Sequence, residues 1–132
     1  NDQRPSLDDL LPSADVISLH CPLNDATKHL LNKERLAKAK PSLLIVNCAR
    51  GGIIDEEAAL EALRSGSIGG LAVDVLPVEP PKDGHALLDA LANAEPLNLI
   101  VTPHNAWITP EARQNIVGLT ADNIRAWQTE NH

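Results

Sequence analysis

Four short runs of apolar and β-branched residues, each breaking off into polar or titratable ones, constrain this chain more than any other feature. They are DVISLH (Asp15 to His20), LLIVN (Leu43 to Asn47), GLAVDV (Gly70 to Val75) and NLIVTP (Asn98 to Pro103). Each has about five or six residues, an ordinary strand length. Helical signals fill the intervals. Ser6 is placed to cap a short helix over SLDDLL, and Asn32 one over NKERLAKAK that Pro41 closes. Asp55 suits the cap of DEEAALEALRSG, with Glu56 and Glu57 at the positive end of the helix dipole and Gly66 in the C-terminal turn. HALLDALANA is a shorter candidate. A last helix runs from Pro110 to about Gln128 behind Thr109 as cap, its apolar residues Ile116, Leu119, Ile124 and Trp127 at roughly helical spacing. Strand alternating with helix predicts an α/β fold with a parallel sheet. The second run is apolar enough to predict cover on both faces.

Composition narrows the partners. The chain has 132 residues, a single-domain length, and carries 18 acidic against 11 basic residues for a net charge of -7. That balance argues against a nucleic-acid backbone or an anionic membrane as partner. With two Trp and no Phe or Tyr, stacking platforms for bases are missing as well. No apolar run reaches membrane-span length. Cys21 and Cys48 fit neither a CxxC pair nor a disulfide framework, and free thiols suggest the cytoplasm. The His and Cys spacings match no common zinc pattern, so no metal is expected.

In open parallel sheets ligands bind beyond the carboxyl ends of the strands. The first run is followed there by His20, Cys21, Pro22 and Leu23, and the second by Cys48, Ala49, Arg50, Gly51 and Gly52. The third ends at Asp74 with Glu79 in the loop beyond, and the fourth leads into His104, Asn105, Ala106 and Trp107. An arginine, an acid and a histidine on one rim make a workable catalytic set. Each has a plainer alternative. Arg50 and its glycines could be an ordinary tight turn, Glu79 a solvated charge, and His104 a satisfied loop histidine. Asp74, a carboxylate between valines, needs a partner, either a ligand or a neighbouring backbone group. His29, His85 and His132 receive no role.

These stretches together resemble the D-isomer-specific 2-hydroxyacid dehydrogenases. The resemblance rests on HCPL at His20, NCARGGIIDEEAALEAL at Asn47, AVDVLPVEPP at Ala72 and TPHNAW at Thr102, and it covers nearly the whole chain. EPP followed by PHNAW looks most like the glycerate dehydrogenase and hydroxypyruvate reductase branch. The fold it implies is a Rossmann-like, doubly wound parallel sheet. It implies that Arg50 grips the substrate carboxylate, that His104 is the general acid/base and that Glu79 is the acid paired with it. It also implies a cofactor site, for NAD or NADP, at His20, Cys21, Cys48, Ala49, Arg50, Asp74, His104 and Trp107, with Asp74 receiving the nicotinamide carboxamide. The implied partner is a small 2-oxo or 2-hydroxy acid, and the implied assembly a homodimer. The chemistry suits the residue types. Histidine titrates near neutrality and can pass a proton to a carbonyl oxygen. Arginine offers a planar charged fork to a carboxylate. The glycines would let the backbone pass close to a ligand.

One departure is large. The GxGxxG fingerprint, the ribose-holding acid and a substrate domain are not in this sequence. Residues 1–132 therefore read as the C-terminal portion of a dinucleotide-binding domain. In a 3-2-1-4-5-6 order the four runs would be strands 3 to 6. With strands 1 and 2 missing, the first run would stand apart from the other three. The isolated chain is then expected to be inactive. A competing reading is a dehydrogenase-like module that senses NAD(H) or scaffolds partners without turnover.

Overall fold

The computed structural model describes residues 5–130; His132 lies outside them. In chain order the elements are α1 (Leu7–Leu10), β1 (Val16–Leu19), α2 (Lys33–Leu36), β2 (Leu44–Asn47), α3 (Glu56–Arg64), β3 (Gly70–Val73), α4 (Ala86–Ala92), β4 (Leu99–Val101) and α5 (Pro110–Glu130). The helix starts follow the side chains that sequence places there. Ser6 and Asp9 form a reciprocal capping box. The Asn32 and Asp55 side chains accept from the Arg35 and Ala58 N–H groups at 3.0 and 3.1 Å, each cap contributing about 1 kcal/mol.

The four strands form one parallel sheet in the order β1-β2-β3-β4. The register runs Leu19↔Asn47, Asn47↔Val73 and Val73↔Val101, so the strand ends lie side by side along one rim. This corrects one expectation: the first strand is not stranded. Val16 to Leu19 pair directly with Leu44 to Asn47, and the four are a contiguous stretch of sheet rather than a third strand set apart from strands 4 to 6.

The same order explains the burial. Successive right-handed crossovers that always step in one direction place every connecting helix on one face of the sheet. That face carries the core: Leu19, Ile45, Leu71, Val73 and Leu99 point into it and meet Ile53, Ile54, Leu60 and Leu87 from the connecting segments. On the opposite face Val16 and Ile100 are each 57% exposed and Leu44 is 40% exposed. The expected cover on both faces of the second strand is therefore absent among the described residues. Helix α5 buries none of its residues, and Ile116, Leu119, Ile124 and Trp127 all stand exposed. No helix among the described residues is long and apolar enough to cross a membrane.

Candidate active site

The rim is best built from β3 and β4 outward. Asp74 is 4% exposed at the end of β3. A carboxylate so placed must be hydrogen-bonded, and it is. Oδ1 accepts from the Thr102 hydroxyl at 2.5 Å and the Asn105 N–H at 2.9 Å, and Oδ2 accepts from the Ala106 N–H at 2.9 Å. Burial by itself pushes this carboxyl up; the bonds from Thr102, Ala106 and Asn105 more than offset it and hold it below the usual aspartate value. The alternative of a backbone-satisfied Asp74 is thus what its contacts show, with one acceptor direction on Oδ2 left over.

The turn that Asp74 holds presents His104. The histidine backbone has φ 51, the left-handed region that costs a non-glycine residue free energy. Two contacts hold it there. The Trp107 indole N–H donates to the His104 carbonyl at 2.9 Å, and the imidazole Nδ1 lies 2.6 Å from Glu79 Oε2. The other Glu79 oxygen, Oε1, accepts from the Leu76 N–H at 2.7 Å. The His104 contact first, and the Leu76 bond second, lower the Glu79 carboxyl below the usual glutamate value. His104, Glu79, Asp74 and Thr102 share a cavity of about 350 Å³ whose remaining walls are Leu76, Pro80, Pro81 and Pro103.

The β1–β2 end is assembled differently. Asn47 is fully buried, and its amide closes the turn beyond β2: Nδ2–H donates to the Arg50 carbonyl at 2.9 Å and Oδ1 accepts from the Ala49 N–H at 3.0 Å. Arg50 is exposed, and its guanidinium donates to the adjacent Ala49 carbonyl at 2.7 Å. Gly51 is needed for a reason other than ligand clearance. A Cβ there would stand 2.1 Å from the Leu76 carbonyl carbon, so the bare position lets the Glu79 loop abut the Arg50 turn. Gly52 supplies the turn itself, at φ 81.

A second cavity, of about 710 Å³, is lined by His20, Cys21, Pro22, Leu23, Cys48, Ala49 and Arg50. His20 Nε2 contacts the Ser18 hydroxyl at 2.8 Å. A third, of about 310 Å³, lies on the open face of the sheet over Val46, Ala72 and Ile100. Cys48 lines the second and third, while Asp74 and Thr102 line the third and first. The three form a chain along the rim. The structure thus groups His20, Cys21, Cys48, Ala49 and Arg50 at one end and Asp74, Glu79 and His104 at the other. Trp107 lines none of these cavities and braces the His104 turn instead. Thr102 and Asn47 belong to the site although neither stood out in the sequence beyond its place at a strand end. Among the described residues no group of three metal-ligating side chains converges.

Residues 1–106 match the NAD binding domain of the D-isomer specific 2-hydroxyacid dehydrogenases. The chain belongs to this family. Over 121 residues it is 47% identical to a glycerate dehydrogenase of Methylorubrum extorquens, covering 92% of this chain and 37% of that protein. It is 39% identical to a hydroxypyruvate reductase of Blautia hydrogenotrophica, covering 89% of this chain and 35% of that one. The fold superposes on a D-lactate dehydrogenase of Aquifex aeolicus complexed with NAD and lactic acid, with a TM-score of 0.77 and 33% identity over 96% of this chain and 40% of that one. The chain therefore spans less than half the length of the relatives it matches.

A dinucleotide needs a long, continuous cleft with a polar group at the nicotinamide end. The three cavities share lining residues along the rim, and Asp74 and His104 both line the one at the β3–β4 end. Cys21, Cys48 and Ala49 at one end and Asp74 at the other are the residues that would hold one.

Proposed function

We propose that this chain is the later part of a nucleotide-binding domain in an NAD(P)-dependent D-2-hydroxyacid dehydrogenase. The substrate would be a small pair such as glycerate and hydroxypyruvate. The observation that carries this reading is the His104–Glu79 contact at 2.6 Å. It engages Nδ1 and leaves Nε2 with no hydrogen-bond partner among the described residues, on a histidine that lines a cavity. That is the arrangement of an oriented general acid/base. A bound nicotinamide supplies or receives the hydride. His104 gives a proton to the carbonyl oxygen of the 2-oxo acid during reduction, and takes it back from the hydroxyl during oxidation. Glu79 orients the ring. Arg50, with most of its five donors unengaged, takes the substrate carboxylate. The family match, and relatives named glycerate dehydrogenase and hydroxypyruvate reductase, support the substrate class.

The relatives' greater length supports a further portion that carries the glycine-rich phosphate turn and the substrate domain. The test uses the full-length protein, with NADH or NADPH consumption followed on hydroxypyruvate and glyoxylate. Turnover on either supports the reading. Cofactor binding with no turnover on any 2-oxo acid would point instead to a sensing or scaffolding module.

A further inference from the structure

The loop that carries Glu79 is tied through that side chain to Leu76 and His104 and is otherwise weakly held. From Pro77 to Gly84 its residues are exposed or half-buried. Its backbone hydrogen bonds there, Lys82 to Pro80 and Gly84 to Pro81, stay within the loop. The near end is set by Leu76 against Gly51. The far end is His85, the N-cap of α4, whose Nδ1 accepts from the Leu87 N–H at 3.3 Å. With Nδ1 an acceptor, the ring proton belongs on Nε2. That atom lies 2.6 Å from Oε2 of Glu56, the first residue of α3.

Glu56 is an unusual choice for this place. It is 6% exposed, and apart from the short His85 contact, which is not aligned as a hydrogen bond, its carboxyl oxygens have no polar partner. Burial, and then neighbouring Asp55, push its carboxyl up to about 7, while burial pushes His85 down against the opposing pull of Asp89 and Glu57. An apolar pair would fill the space between α3 and α4 without that cost. What the polar pair does is bring the ring that ends the Glu79 loop against the first residue of α3.

We propose that Glu56 and His85 are positioning residues for the Glu79–His104 pair, holding the far end of the Glu79 loop through the buried α3–α4 contact. This rests on the dehydrogenase reading for its kinetic consequence but not for its structural one. The test compares His85→Asn, which keeps a helix cap and withdraws the ring from Glu56, with Glu56→Ala and Glu56→Gln in the full-length protein. Two readouts are taken: steady-state kinetics, and the titration of the Glu79 carboxyl by carbon NMR. The expected result for His85→Asn and Glu56→Ala is a fall in kcat of about ten-fold or more, with the cofactor KM within about two-fold. The Glu79 titration should also move up toward the ordinary glutamate value. Glu56→Gln, which keeps a polar side chain of the same length against Nε2, should leave both near the wild-type values. A folded His85→Asn protein with unchanged Glu79 titration overturns the proposal. If the wild type shows no turnover on any 2-oxo acid, the dehydrogenase reading fails, and the Glu79 titration alone decides whether the tie exists.

Discussion

The two ends of the rim are built to different standards of order. At the β3–β4 end Asp74 is held by Thr102, Asn105 and Ala106, and His104 is held through its carbonyl by Trp107 and through its ring by Glu79. At the β1–β2 end the turn is equally well closed by Asn47, but the Arg50 side chain is exposed and bonds only to its own neighbour's carbonyl. The difference fits the roles proposed for the two ends. A general acid/base gains from being held in place before the substrate arrives, because its orientation is then already set in the transition state. A substrate anchor must keep its donors for the substrate.

This contrast predicts opposite mutational signatures. His104→Gln should lower turnover by roughly 10²–10⁴-fold while leaving the cofactor KM almost unchanged. Turnover near that of the wild type would remove the acid/base role and with it the reason for the ordered end. Arg50→Ala should cost roughly 2–4 kcal/mol of transition-state binding, about 30- to 1000-fold in kcat/KM for the 2-oxo acid. Because the side chain is exposed, the thermal midpoint should not move. A clear drop in that midpoint would mean that Arg50 is a structural residue after all, and the contrast would dissolve.

The sequence makes one end more legible than the other. Arg50, Glu79, His104 and Asp74 are each visible as polar residues beyond apolar runs, and the structure places them along one rim. Capping residues and Pro110 also locate the starts of α1, α2, α3 and α5. What is not legible is which contact each residue makes. Asp74 reads as a ligand group or a structural acceptor until the turn at 105–106 folds back on it. Gly51 reads as ligand clearance because nothing in the local sequence says that Leu76 and Pro77 pack against it. The sheet order is the clearest failure. Local pattern identifies strands but not their neighbours, and strand neighbours are set by long-range pairing that only the whole fold decides. His85 is missed for a related reason: its partner Glu56 lies in another helix and looks like a routine first-turn acid.

Asp74→Asn probes how the ordered end is held. Asparagine keeps one acceptor oxygen where the carboxylate has two, so at least one of Thr102, Asn105 and Ala106 must then face an amide N–H. The expected loss is about 1–3 kcal/mol of folding stability, read from denaturant midpoints, with turnover falling alongside as the His104 turn loosens. A stable variant that has lost turnover would instead favour direct contact between Asp74 and the cofactor.

Acid should act on the two ends unequally. Asp74 and Glu79 both have folded values below their ordinary 3.8 and 4.5. For such groups the unfolded chain takes up protons first as pH falls. Their contribution to stability is therefore complete above the ordinary values and disappears as pH drops through the folded ones. The Arg50 turn has no carboxylate and contributes nothing to this change. Asp8, Asp9 and Glu95 are also held low elsewhere in the chain, so the acid limb of the wild type alone decides nothing. The informative quantity is the difference between wild type and Glu79→Gln. At neutral pH it should be no more than about 1 kcal/mol, because the pair is partly exposed and screened by solvent. It should shrink toward zero below the folded Glu79 value. A difference that stays constant through that range would mean that the Glu79 charge does not help to hold His104, and that the order at this end comes from the Asp74 turn alone.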